Sequence, residues 1–157
     1  MTLVELFPQP MWITELKARD KKSAIRELLE HLVHQGKLKE DAAKKAEKAI
    51  QKRESQGSTA IGKGLAIPHA KNCPFIKEVL GVFARSREGM PFDAVDGGLV
   101  HVIFLVISPE DKAVQHLDIM KRIARLHMDE KTLRFLATDE KLSTLQEIFK
   151  EADDSFS

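Results

Sequence analysis

Between residues 23 and 35 the apolar positions Ile25, Leu28, Leu29, Leu32 and Val33 recur at the i, i+3, i+4, i+7, i+8 spacing of one buried helical stripe. This predicts a helix from about Ser23 to Gln35, with Ser23 as its cap and Gly36 as its stop. A second helix is predicted from about Asp41 to Ser55, with Ala42, Ala43, Ala46, Ala49 and Ile50 facing inward. Extended segments follow. Residues 65–68 form a short apolar run, and residues 78–85 (EVLGVFAR) put Val79, Gly81 and Phe83 on one face and Leu80, Val82 and Ala84 on the other. Leu99 to Ile107 is also apolar on both faces, as a central strand covered by helices on each side must be. Ser108-Pro109-Glu110-Asp111 then reads as a helix start: a cap, a proline at the first position and acids in the first turn. The helix after it carries His116, Met120, Ile123 and His127 along one stripe, and helices over 129–137 and 139–151 close the chain. Leu142, Leu145, Ile148 and Phe149 form the last buried stripe, and a polar tail, frayed from about residue 153, is expected to end it. Two helices, then strands, then three helices predict an α/β fold: a single α/β/α layered domain over residues 1–157, with a central mixed sheet flanked by helices.

Length and composition agree with one domain, since 157 residues with 43% hydrophobic content support one sizeable core but not two of ordinary size. Lys plus Arg (25) nearly balances Asp plus Glu (24), so composition demands neither nucleic acid nor an anionic membrane as partner. The apolar runs are far shorter than the roughly 18 residues a membrane span needs. The first residues, MTLVELFPQP, lack the pattern of a secretory signal, and one cysteine cannot form an internal disulfide. A soluble protein in the cytoplasm is expected.

The unusual chemistry is concentrated in RESQGSTAIGKGLAIPHAK, residues 53–71, which holds three glycines, three hydroxyls, a Pro-His pair and three cations. Gly57, Gly62 and Gly64 permit sharp turns and a close approach of backbone to ligand, and Ser58 and Thr59 add donors beside exposed amides. Such a loop suits a phosphate. Pro68 fixes the backbone before His69, whose neutral imidazole is a nucleophile near physiological pH. Arg53 lies three and four residues beyond Ile50 and Ala49, on the inner side of the last turn of its helix, directed at the glycine-rich loop; helix-end electrostatics alone would also favour a cation there. A rival reading exists, because Gly57 to Lys63 fits the G-x-x-x-x-G-K start of a P-loop. Against it, Gly64 stands where Ser or Thr should bind magnesium, and a helical pattern precedes the glycines where a strand should.

Four other histidines and the cysteine are weighed beside these. His116 stands near a helix N-terminus, where a neutral imidazole and a nearby anion are favoured, although a histidine at the rim of the core fits the same place. His101 reads as a hydrogen-bonded core histidine, and His31 and His34 as a solvated face without the further ligands a metal needs. Cys73, between Asn72 and Pro74, reads as an inert thiol.

Arg53-Glu54, GST at 57–59, IGKG at 61–64 and AIPHA at 66–70 together resemble the phosphorylation-site signature of the enzyme IIA domains of the bacterial phosphotransferase system, in the fructose, mannitol and nitrogen-regulatory group. The resemblance extends through PFDAVDG at 91–97 and HLDIMKRIA at 116–124. It implies a mixed sheet between helical layers and a phosphoryl carrier whose phosphorylated residue is His69, with His116 as the second histidine beside it. The implied donor is the phosphohistidine of an HPr-like phosphocarrier protein or its nitrogen-regulatory paralogue, and the implied acceptor is a IIB domain or a regulatory target. No cofactor or metal is implied, because the donor's P–N bond already carries the transfer potential. Arg53, His116 and the loop around Ser58, Thr59, Gly62 and Gly64 would stabilise the phosphoryl oxygens. Since 157 residues leave no room for IIB and IIC domains after one IIA, a free-standing nitrogen-regulatory member is expected ahead of a fructose or mannitol uptake component. A regulator in which phosphate only switches the partner held is the alternative of another class.

Overall fold

Strand β6 (Val100–Ile107) is the centre of the architecture, described over residues 1–156 in a computed structural model. It runs antiparallel to β5 (Leu80–Met90) on one side and parallel to β3 (Leu65–Ala66) and β4 (His69–Ala70) on the other. A two-residue strand β1 (Trp12–Ile13) adds in parallel to β5, and β2 (Ala60–Gly62) adds antiparallel to β3, giving a mixed sheet in the order β1-β5-β6-β3-β2 with β4 further along β6. The two-faced patterns are realised as predicted. Leu80, Val82 and Ala84, with Ile103, Leu105 and Ile107, pack against α2 (Lys21–His34) and α3 (Glu40–Ser55). Val79 and Phe83, with Val102, Phe104 and Val106, pack against α1 (Leu3–Leu6), α4 (Ala113–His127), α5 (Glu130–Thr138) and α6 (Leu142–Asp154). The second layer is aromatic: Phe83, Phe104 and Phe149 meet with ring centroids 5.2–5.8 Å apart. Each face of the sheet thus has its own core.

Several boundaries differ from the expectations. Helix α2 begins two residues early because Asp20 is its cap, accepting from the Ser23 amide at 2.9 Å, so Ser23 lies inside the first turn. The 65–68 strand is broken: Ile67 donates sideways to the Thr59 carbonyl, and pairing with β6 resumes at Pro68, whose carbonyl accepts from Val106. Ser108 does not cap α4, which follows a 3-10 turn over Glu110–Lys112. The buried stripe of α4 is His116, Ile119, Ile123 and Leu126, rotated slightly from the expected one, with His127 only half-buried. Short elements α1, β1 and β2 carry too few residues to show a period. The expected fraying from residue 153 is not found at Asp153, whose carboxylate caps α1 through the amides of Leu3 (2.8 Å) and Val4 (3.0 Å) and pairs with Arg122 at 3.0 Å. Phe156 lies on the guanidinium of Arg122 at 4.9 Å; residue 157 is outside the described residues.

Candidate functional site

The broken strand is what places the first imidazole. Ala70 packs into the α2–α3 core, so its neighbour His69 projects from the opposite face of β4, towards α4. There its ring meets that of His116, with centroids 5.6 Å apart and planes inclined by 54°. His69 is half-buried and His116 is 7% exposed. The Nδ1 of His69 lies 2.7 Å from the carbonyl oxygen of Ile67. A carbonyl can only accept, so Nδ1 carries the proton and Nε2 holds the free lone pair. Burial pushes the His69 pKa below its ordinary value, with the Arg53 and Lys71 charges acting the same way against the opposing Ile67 carbonyl and Glu54. Burial likewise takes His116 down to about 4, reinforced by His69 and Lys71. Both rings are therefore neutral at physiological pH.

Arg53 occupies the last turn of α3, half-buried, with Nη1 donating to the Gly57 carbonyl at 2.8 Å. The guanidinium thus faces the loop, as the inner-side geometry requires, and its charge is felt at His69. One residue on, Glu54 is buried at 6% exposure and binds Lys21 Nζ at 2.8 Å. Its carboxylate also accepts from the amide and the hydroxyl of Thr59. Ser58 donates its hydroxyl to the Phe92 carbonyl at 2.6 Å. The expected phosphate donors at Ser58 and Thr59 are thus engaged in holding the loop against α3 and the 91–97 segment.

Gly62 and Gly64 depart further from expectation. They form the tight turn between β2 and β3, with φ of +98° and +79°, at the Val102 end of β6, whereas His69 pairs with Val106. Four residues of strand put that turn roughly 13 Å from the imidazole pair. Lys63 at its tip donates to the His127 carbonyl at 3.2 Å, and the Gly62 carbonyl accepts from His127 Nε2 at 3.2 Å. The glycines therefore shape a hairpin tied to the far end of α4. A hairpin followed by a strand is also not a P-loop, which removes the nucleotide-binding alternative.

Sequence reasoning missed two partners of the site, Ser108 and Lys21; Lys71 is among the cations of the 53–71 stretch, and the structure adds that its charge is felt at both histidines. Ser108 Oγ lies 2.6 Å from His116 Nδ1, in a residue with no exposed surface. Glu54 had a signal, since a carboxylate four residues beyond Ile50 falls on the inner stripe of α3, where it needs a partner. His101 is held by the Ser86 carbonyl at 3.0 Å, and His31 bonds the Pro10 carbonyl at 2.8 Å, so it is less free than a solvated face implies. Cys73 is buried, with its thiol pushed up by that burial. Among the described residues no group of three or more His, Cys, Asp or Glu could hold a metal ion, and no helix is long and apolar enough to cross a membrane.

The family model for the phosphoenolpyruvate-dependent sugar phosphotransferase system, EIIA 2, matches residues 5–152. A fructose-specific EIIABC component of Bacillus subtilis is 32% identical over 153 residues, 98% of this chain but 24% of that protein's length. A nitrogen regulatory protein of Bradyrhizobium diazoefficiens is 33% identical over 130 residues, 83% of this chain and 82% of that one. Among solved structures, the nitrogen regulatory protein IIA-Ntr of Neisseria meningitidis superposes with a TM-score of 0.81 at 28% identity, covering 92% of this chain and 97% of that one. The IIA of the Escherichia coli mannitol system, solved in complex with phosphorylated IIB, gives 0.77 at 20% identity, covering 93% of this chain and 99% of that one, a likeness of fold.

Proposed function

Because the chain belongs to the EIIA 2 family of the phosphoenolpyruvate-dependent sugar phosphotransferase system, we propose that it is a phosphoryl carrier whose acceptor atom is Nε2 of His69. The observation that carries this reading is the Ile67 carbonyl on Nδ1, which leaves the outer ring nitrogen unprotonated and nucleophilic. In the transfer, the Nε2 lone pair forms the new N–P bond as the N–P bond of a phosphohistidine on an HPr-like phosphocarrier breaks, and the donor imidazole leaves. The phosphoryl unit is held in line while its equatorial oxygens keep their charge, so catalysis consists of alignment and electrostatic stabilisation. Arg53 and the neutral His116 flank the acceptor, and Lys71 adds a second source of positive potential beside Arg53. Arg53 exchanges its bond to the Gly57 carbonyl for the phosphoryl oxygens. Depressed basicity at both histidines keeps the nucleophile free and lets two cationic neighbours surround a neutral acceptor.

A protein partner is favoured by the surroundings. Val114 (84% exposed) and Leu117 (56% exposed) flank His116 on the outer side of α4, a patch suited to docking a carrier and then a IIB domain or regulatory target. By contrast, a cavity of about 640 Å³ between α2 and α3, lined by Leu29, Val33 and Ala43, contains no residue of the site. The similarities to a nitrogen regulatory protein over most of both chains and to the Neisseria IIA-Ntr structure favour the regulatory branch; a cytoplasmic location and transfer without a cofactor belong to the same proposal. The 32% identity to a fructose-specific protein supports the uptake branch as the second reading. Transfer of labelled phosphate from the phosphorylated protein to purified fructose- and mannitol-type IIB domains decides between them. Slow transfer is expected, and rapid transfer to either domain would overturn the regulatory choice.

A further inference from the structure

His116 is a neutral imidazole with one N–H, and which nitrogen carries it decides what the ring can offer an anion at His69. Its Nδ1 is 2.6 Å from Ser108 Oγ, the one side-chain hydrogen bond of this ring among the described residues, which leaves its Nε2 available. The serine is immobile at its backbone: its amide donates to the Ala70 carbonyl at 3.0 Å and its carbonyl accepts from the Cys73 amide at 2.9 Å, at the end of the ladder that also positions His69. Its side chain is fully buried, with His116 as the hydroxyl's partner among the described residues. Only the hydroxyl hydrogen is free to rotate. If Ser108 donates to Nδ1, the proton of His116 sits on Nε2 and the ring presents a donor; if Ser108 accepts from Nδ1–H, Nε2 presents a lone pair. A phosphoryl group of nearly two negative charges on His69 is stabilised by the first arrangement and repelled by the second.

We propose that Ser108 is a positioning residue for phosphoryl transfer, donating its hydroxyl hydrogen to Nδ1 of His116 so that Nε2–H of that ring is directed to the phosphoryl group on His69. This inference rests on the reading of His69 as the acceptor. It gives the paired histidines opposite roles: the Ile67 carbonyl makes the outer nitrogen of His69 a nucleophile, and the Ser108 hydroxyl makes the outer nitrogen of His116 a donor. The difference between a carbonyl that only accepts and a hydroxyl that can donate is sufficient to set the two tautomers apart. The serine touches neither the phosphoryl group nor the partner protein, so its effect is read through His116.

The test is nitrogen-15 NMR of histidine-labelled protein, before and after phosphorylation by a phosphorylated HPr-type carrier, on wild type and Ser108→Ala. In wild type, label on His69 is established first, and its absence would overturn both the acceptor reading and this inference. With His69 phosphorylated, His116 is expected as the Nε2–H tautomer, with an unprotonated Nδ1. The Nδ1–H tautomer in the phosphorylated wild type would overturn the role of Ser108 while leaving His69 as acceptor, and this result needs no variant. Ser108→Ala is expected to show mixed His116 tautomers and transfer slowed roughly ten- to a hundredfold, the range for losing a partner that orients a functional histidine. The KM for the carrier should be unchanged, because Val114 and Leu117 remain on the docking face. An alanine variant with wild-type tautomer and wild-type rate would equally refute the assignment.

Discussion

Replacing His116 with Gln keeps a hydrogen-bonding head beside Ser108 while removing a group that titrates, and the effect on acid stability follows from the structure. The folded protein holds His116 at a pKa of about 4 against an ordinary 6.5, through burial first and the nearby His69 and Lys71 charges second. Below pH 6.5 the unfolded chain takes up a proton that the folded protein refuses until about pH 4. Stability from this group is therefore complete above 6.5 and is lost as the pH falls through that window. A shift of about two and a half units corresponds to about 3 kcal/mol once the window has been crossed. The variant should consequently lose about 3 kcal/mol less than wild type between about pH 7 and pH 4, even if its stability at neutral pH is lower. Carboxylates titrate in both proteins and cancel in the comparison. Urea unfolding followed by fluorescence of the single tryptophan, Trp12, buried at 6% exposure against Phe83 and Phe149, provides the measurement. Parallel loss of stability in the two proteins across the window would refute the reasoning.

Arg53→Ala should slow phosphoryl transfer roughly ten- to a thousandfold, and Arg53→Lys should recover only part, since a point charge cannot reproduce the guanidinium fork; equal rates in a carrier-transfer assay would return Arg53 to a helix-end role. Gly81→Ala should cost about 1–3 kcal/mol in chemical denaturation, because a Cβ there would meet Phe7 Cε1 at 2.7 Å and Leu6 Cγ at 2.8 Å and push α1 off the sheet. Arg85→Met should cost several kcal/mol by the same assay, on the order of 1–3 for each buried acceptor left unpaired, because its guanidinium bonds the carbonyls of Thr14 (2.8 Å), Leu136 (3.3 Å) and Asp139 (2.6 Å). A stable Arg85→Met would show that water replaces the guanidinium.

The layered fold was legible because burial on both faces forces a distinctive pattern: residues 79–84 divide their side chains between two cores, and 99–107 has no polar face. His69 stands out as a candidate in the sequence because proline, histidine and glycine-rich turn chemistry occur together in one short stretch, and the structure sets its ring against that of His116. Ser108 was misread for a physical reason. A serine before proline and two acids is locally a good cap, but its hydroxyl is claimed by His116, eight residues on, a contact no local pattern encodes. Gly62 and Gly64 were assigned to the phosphate loop because the sequence places them between Thr59 and His69, whereas the hairpin folds them back along β6 to the other end of the sheet. The inward position of Glu54 is readable from its spacing to Ile50, but nothing local shows that Thr59 is the partner that satisfies it, so Thr59 reads as a free donor in the sequence. Lys21, more than thirty residues from Glu54 in the chain, had no sequence signal at all.

The central claim, that Nε2 of His69 is the phosphoryl acceptor, is tested most directly by incubating wild type and His69→Gln with phosphoenolpyruvate, enzyme I and HPr-type carrier and mapping the phosphate. Wild type should gain one acid-labile, alkali-stable phosphate on the peptide containing His69, with the phosphorus on Nε2, and His69→Gln should gain none while keeping its fold. An acid-labile phosphate on the glutamine variant, or a wild-type phosphate that survives acid and maps to Ser58, would contradict the account.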